Sequence, residues 1–254
     1  MHEGKVETNI ENGIATVSFF HPQSNSLPGT ILRKLAAEIE AAGKNKEANV
    51  IVLKSEGEKT FCAGASFDEL ASIKNLEEGK VFFSGFAAVI NAMRKAPKLV
   101  IARVQGKAVG GGVGLACSAD YTLAHENASV KLSELAVGIG PFVVGPAVER
   151  KIGTSAFVSL SINAGEWQTA QWAKEKGLYA EIFSSMEELD KGVNTLAEKL
   201  SKSNPEAMAM LKKVFWQGTE NWDTLLPQRA EISGQLVLSE FTKNAIAKFK
   251  AGAR

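Results

Sequence analysis

Short β-branched, apolar runs alternate with longer helical patterns from Lys5 to about Ala124, and this rhythm restricts the chain to few architectures. Residues 14–20, 50–54 and 99–104 read as strands, and residues 30–42 and 81–94 between them read as helices. Alternation of this kind buries a sheet beneath helices and joins its parallel strands through right-handed crossovers. Asn12-Gly13, between residues 6–10 and 14–20, is a hairpin signal, so the first two strands are expected to be antiparallel. Pro28 precedes the first helix and Pro97 follows the second, both at positions where proline punctuates rather than breaks. A further strand at 121–125 precedes the segment 130–132. Beyond Phe142 the pattern becomes helical, at 143–152, 155–162, 169–176, 186–202, 205–216 and 225–249 with breaks, interrupted by strand character at 179–184. The expected fold class is α/β, with a core over residues 1–185 and a helical C-terminal region over 186–254.

With 254 residues, 45% of them hydrophobic, the chain is long enough to bury a substantial core. Its 29 basic and 28 acidic residues give a formal charge of +1, so no global field calls for nucleic acid or an anionic membrane as partner. An anionic ligand must therefore be met locally. The N-terminal segment is polar and no stretch of 18 apolar residues occurs, which predicts a cytoplasmic protein with neither export signal nor membrane span. Cys62 and Cys117 make no disulfide framework, and with His2, His21 and His125 they offer no metal-ligand spacing. Both thiols read as small buried hydrophobes, and no metal is expected.

Two glycine corners carry the chemistry. Gly110-Gly111-Gly112-Val113-Gly114 follows an apolar segment, and about 45 residues upstream Phe61-Cys62-Ala63-Gly64-Ala65 follows another. The first corner fails the G-x-G-x-x-G pattern because Leu115 stands at its last position, and Gly106-Lys107 lacks the upstream glycine of a phosphate-binding loop. There is also no G-x-S-x-G elbow and no H-E-x-x-H pair. What remains is a strand ending in a glycine turn that opens a helix, whose first N–H groups have no intrahelical partner. Two such turns facing each other form an oxyanion hole, each donor worth about 3 kcal/mol to a transition state that develops negative charge on oxygen.

The chain resembles the crotonase family, the enoyl-CoA hydratase/isomerase group. The matching stretches are His21-Pro22-Gln23-Ser24-Asn25-Ser26-Leu27, the two glycine corners, Gln105 to Gly112, Cys117-Ser118-Ala119-Asp120, and Leu132-Ser133-Glu134 leading into Gly138-Ile139-Gly140-Pro141. The resemblance implies a spiral of β/α units and a CoA thioester as substrate, with no separate cofactor. It places the thioester carbonyl between the backbone N–H groups of Ala65 and Gly111, with Ala63, Gly64, Gly110 and Gly114 as further substrate-binding positions. Ser24, Ser26 and Leu27 correspond to the family's CoA-binding loop. It also implies a homo-oligomer, a trimer or a hexamer, with residues 186–254 packing between subunits.

The acid–base residues depart from the hydratase pattern. Family hydratases use two glutamates; one position is occupied here by Glu134 and the other by Gly114. Two carboxylates suit hydration, because one activates water while the other protonates carbon, whereas a single carboxylate moves a proton between C4 and C2 without water. The substitution at Gly114 favours 3-enoyl to 2-enoyl isomerisation. Hydration or another enolate reaction such as decarboxylation, and a non-catalytic CoA-binding scaffold, stand as alternatives. Ser66 and Phe142, which replace acids of some relatives, are expected to shape the acyl pocket, Asp68 and Glu69 to lie on a solvated helix face, and Asp120 to serve structure.

Overall fold

In a computed structural model, which describes residues 4–252, the alternating segments form a six-stranded sheet. β1 (Lys5–Glu11) and β2 (Ile14–Phe20) are an antiparallel hairpin, turned by Asn12 and Gly13 at φ 52° and 80°, the left-handed conformation that Asn-Gly adopts most readily. β3 (Val50–Ser55), β5 (Leu99–Val104), β7 (Tyr121–His125) and β10 (Glu181–Phe183) continue the sheet in parallel, in the order β1-β2-β3-β5-β7-β10. Five of the six residues of β3 are buried, as a parallel strand covered on both faces requires.

The layers follow from where the apolar faces point. α1 (Gly29–Lys44) and α3 (Leu76–Lys95) cover one side of the sheet with Leu32, Leu35, Ile39, Phe82, Phe86, Ile90 and Met93. α7 (Met186–Ser201) covers the other, setting Leu189, Val193 and Ala197 on Val50, Val52, Ile101 and Leu123. Side-chain oxygens of Asn75 and Ser185 cap α3 and α7, and each helix carries two acids in its first turn, matching the macrodipole.

A second sheet was not expected from the sequence. β4 (Thr60–Cys62), β6 (Lys107–Val109), β8 (Ser129–Lys131) and β9 (Gln168–Thr169) form it, each too short to show an alternating pattern. Three of these strands lead directly into the segments that the sequence marked. β4 runs into Ala63-Gly64-Ala65 and α2 (Phe67–Ser72), β6 into Gly110 and α4 (Gly111–Ser118), and β8 into Leu132-Ser133-Glu134. Because β4, β6 and β8 are parallel, those three exits lie side by side.

The C-terminal half adds α5 (Gly145–Ile162), broken at Gly153, then α6 (Ala170–Glu175), α8 (Pro205–Phe215), α9 (Trp222–Leu236) and α10 (Glu240–Gly252). α9 crosses α3 where two glycines meet: a Cβ on Gly79 would lie 2.8 Å from the Gly234 Cα. α10 folds back onto its own chain, stacking Phe249 on Phe67 of α2 at 4.3 Å and pairing Lys250 with Asp68 at 2.6 Å. No helix among the described residues is long and apolar enough to cross a membrane.

Candidate active site

The first glycine corner is fixed by backbone bonds on one side only. Leu27 and Ala65 form a parallel bridge in which Leu27 N–H donates to Gly64 C=O (2.7 Å) and Ser66 N–H donates to Leu27 C=O (3.1 Å). That pattern spends the groups flanking Ala65 and leaves its own N–H pointing the opposite way. The second corner is anchored by Gly110, whose N–H donates to Lys131 C=O (2.8 Å) and whose carbonyl accepts from Val113 and Gly114. Gly111 is the first residue of α4, so its N–H has no intrahelical acceptor. Among the described residues neither the Ala65 nor the Gly111 N–H has a partner.

The two corners touch. A Cβ on Gly64, at φ 83°, would lie 2.8 Å from Val109 O and 3.4 Å from Gly111 N. Gly110 sits at φ 51°, where a side chain is strained, and a Cβ there would lie 2.9 Å from Oε1 of Glu134. Glycine at 110 therefore lets the carboxylate close on the turn that presents Gly111 N–H. Phe86 lies against Gly111 in the same way, at 2.1 Å from such a Cβ.

These groups line one cavity of about 60 Å³. Ala63, Gly64, Ala65, Gly110, Gly111 and Glu134 are all in its wall, with Phe67, Leu70, Phe83, Phe86, Val137, Phe142 and Val144 supplying apolar surface. Glu134 is the one titratable side chain among the lining residues. As a residue it is half-buried, but its carboxyl end is enclosed, and Oε2 has no hydrogen-bond partner. Loss of water raises its pKa from 4.5 to about 7, since burial penalises the charged form and its own backbone N–H offsets only part of that. Such a carboxyl exchanges protons near neutral pH beside two donors that favour negative oxygen.

The remaining marked residues lie elsewhere. Gly114 is on the next turn of α4, outside the cavity wall, where a Cβ would meet Val144 Cγ1 at 2.5 Å. Ser24, Ser26 and Leu27 do not line the cavity either. Their loop braces the first corner, with Ser24 C=O accepting from Ala63 N–H (3.2 Å) and Asn25 buried beneath it, its side chain bonding to His21, Glu56 and Thr60. Ser66 caps α2, Phe142 does line the pocket, Asp68 takes Gln23 and Lys250, and Glu69 accepts from Gly29 N–H at the start of α1. Asp120 is structural: it accepts from Val100 N–H, Lys212 Nζ and Trp216 Nε1. Both cysteines are buried with thiols pushed up to about 12. No cluster able to hold a metal ion occurs among the described residues. Ser233 of α9, which lines the cavity at 1% exposure, carried no signal in the sequence, because only the α3–α9 crossing brings it there.

Known proteins share both the pattern and the fold. The family model for enoyl-CoA hydratase/isomerase matches residues 9–250. A probable enoyl-CoA hydratase of Bacillus subtilis is 26% identical over 242 residues, covering 94% of this chain and 93% of that protein. The peroxisomal Delta(3,5)-Delta(2,4)-dienoyl-CoA isomerase of Arabidopsis thaliana is 29% identical over 197 residues, covering 72% of this chain and 69% of that one. The crystal structure of an enoyl-CoA hydratase from Bacillus halodurans superposes with a TM-score of 0.87 at 23% identity, over 96% of this chain and 99% of that one. A family match spanning nearly the whole chain, carried on the crotonase fold, identifies the protein as a member of the enoyl-CoA hydratase/isomerase family.

Proposed function

We propose that this acyl-CoA enzyme converts 3-enoyl-CoA to 2-enoyl-CoA, with Glu134 as its single acid–base group. The observation that carries this reading is the composition of the cavity wall, where Glu134 is the one carboxylate beside the two unpartnered N–H groups. The thioester oxygen accepts from Ala65 and Gly111 N–H, which stabilise negative charge as C2 loses its proton. Glu134 takes that proton, the electron pair is delocalised through the thioester and the C3–C4 double bond, and the same carboxylic acid returns the proton to C4. Water takes no part, and no cofactor is needed because the CoA thioester is the substrate itself. A Cβ at position 114 would lie 2.5 Å from Val144 Cγ1, which supports a site that works without a second glutamate there.

The test is product analysis with purified protein and both thioesters. Double-bond migration without mass gain from 3-enoyl-CoA supports the reading. Addition of one water to 2-enoyl-CoA as the faster reaction would replace it with hydration, and binding without turnover of either thioester would favour a scaffold. We also propose a homotrimer or hexamer. Met210, Leu211, Val214 and Phe215 of α8 and Val158 and Ile162 of α5 expose large apolar side chains, more surface than scattered single residues would present.

A further inference from the structure

A second space, open to solvent along Val158 and Ile162, adjoins the reaction cavity. It has a volume of about 400 Å³ and shares two wall residues with the cavity, Pro141 and Phe142. Phe142 packs on Gly140, where a Cβ would lie 2.8 Å from its Cε2, and with Pro141 it stands where the two spaces adjoin. Helix α9 runs past both. Ser233 faces the cavity and Arg229, one turn earlier and about 6 Å along the axis, faces the second space. Gly145, Pro146 and Phe157 give the second space an apolar lining that suits methylene groups.

Arg229 is out of character with that lining. It is half-buried, and it makes no hydrogen bond or ion pair with any described residue, whereas Arg94 and Arg103 pair with Asp223 and Asp190. Glu149, the one carboxylate in the same lining, is exposed and accepts from Thr154 Oγ1 (2.8 Å) rather than meeting Arg229. A half-buried guanidinium set against apolar walls loses part of its water without recovering a hydrogen bond, and a planar carboxylate is the group whose geometry recovers it best.

We propose that Arg229 receives a carboxylate at the far end of the acyl chain, so that the preferred substrates are CoA monothioesters of dicarboxylic acids. The proposal rests on the acyl-CoA reading of the cavity: the thioester sits at Ala65 and Gly111, the chain passes Ser233 and Phe142, and the terminal carboxylate reaches Arg229. Arg229 moves no proton. It selects the substrate, and Glu149 on the same rim tempers that selection by repelling the carboxylate.

Calorimetric titration of the full chain with adipyl-CoA and hexanoyl-CoA, two saturated thioesters of equal length that do not react, tests this. Adipyl-CoA is expected to bind about tenfold tighter, the size of one charge-assisted bond. Arg229→Gln should erase the difference while leaving hexanoyl-CoA affinity unchanged, Arg229→Lys should retain part of it, and Glu149→Gln should widen it. Equal affinities in the unmodified protein, or an Arg229→Gln variant that weakens both ligands alike, would overturn the proposal. If hexanoyl-CoA binds and adipyl-CoA does not, the dicarboxylate inference alone falls; if neither binds to folded protein, the acyl-CoA reading falls with it.

Discussion

The surroundings of Glu134 make two quantities pH-dependent. In the proposed reaction the base form removes the C2 proton, and burial lifts the carboxyl to about 7. Turnover of 3-enoyl-CoA is therefore predicted to rise with pH through about 7 and to level above it, as a pH–rate profile of kcat/KM will show. Glu134→Gln should lower turnover by about 10²- to 10⁴-fold with substrate affinity retained. Stability should run the other way. A carboxyl at 4.5 in the unfolded chain and about 7 in the folded one binds its proton more tightly when folded, so stability is highest below 4.5 and is lost as pH rises through about 7. The loss amounts to about 3 kcal/mol. Denaturant titrations at pH 5 and pH 8 should show Glu134→Gln removing most of that difference. At this scale the sequence marked Ala65, Gly111 and Glu134 by their places in motifs that resemble the family's, and the structure sets all three in one cavity wall. It was silent on the walls: Phe83, Phe86, Val144 and Ser233 reach the cavity from other elements, and no local pattern marks a residue for a contact made far along the chain.

The elements owe their placement to close approaches that glycine permits. α3 and α9 touch at Gly79 and Gly234, where a Cβ on Gly234 would lie 2.7 Å from the backbone nitrogen of Lys80. Since backbone atoms cannot yield, Gly234→Ala is predicted to force the helices apart, destabilise the protein by about 1 to 3 kcal/mol and displace Ser233 and Arg229 from the proposed acyl path. Thermal unfolding together with acyl-CoA affinity checks both effects. Strands β2, β3, β5 and β7 and helices α1, α3 and α7 were legible because each is long enough to show its period. The small sheet that carries the site was not, since strands of two or three residues have no period to read. Asp120 shows the same limit: its motif was recognisable, but its partners Lys212 and Trp216 lie 92 and 96 residues downstream.

The whole molecule joins a parallel α/β core to helices that both roof the site and expose apolar surface. α10 closes over α2 of its own chain, while α8 presents Met210, Leu211, Val214 and Phe215 outward. Light scattering on the eluted protein should give the mass of three or six chains, and a monomer would contradict the proposed assembly. The family was legible from motifs spread along the chain, whereas the proposed choice of isomerisation leans on one residue, Gly114, whose neighbour Val144 no sequence pattern reveals. The most direct test is a single turnover of 3-hexenoyl-CoA deuterated at C2. The proposed mechanism predicts a 2-enoyl product of unchanged oxygen content with deuterium carried to C4, formed at least about 10²-fold more slowly by Glu134→Gln. A 3-hydroxyacyl product, or isomerisation at an undiminished rate in Glu134→Gln, would contradict it.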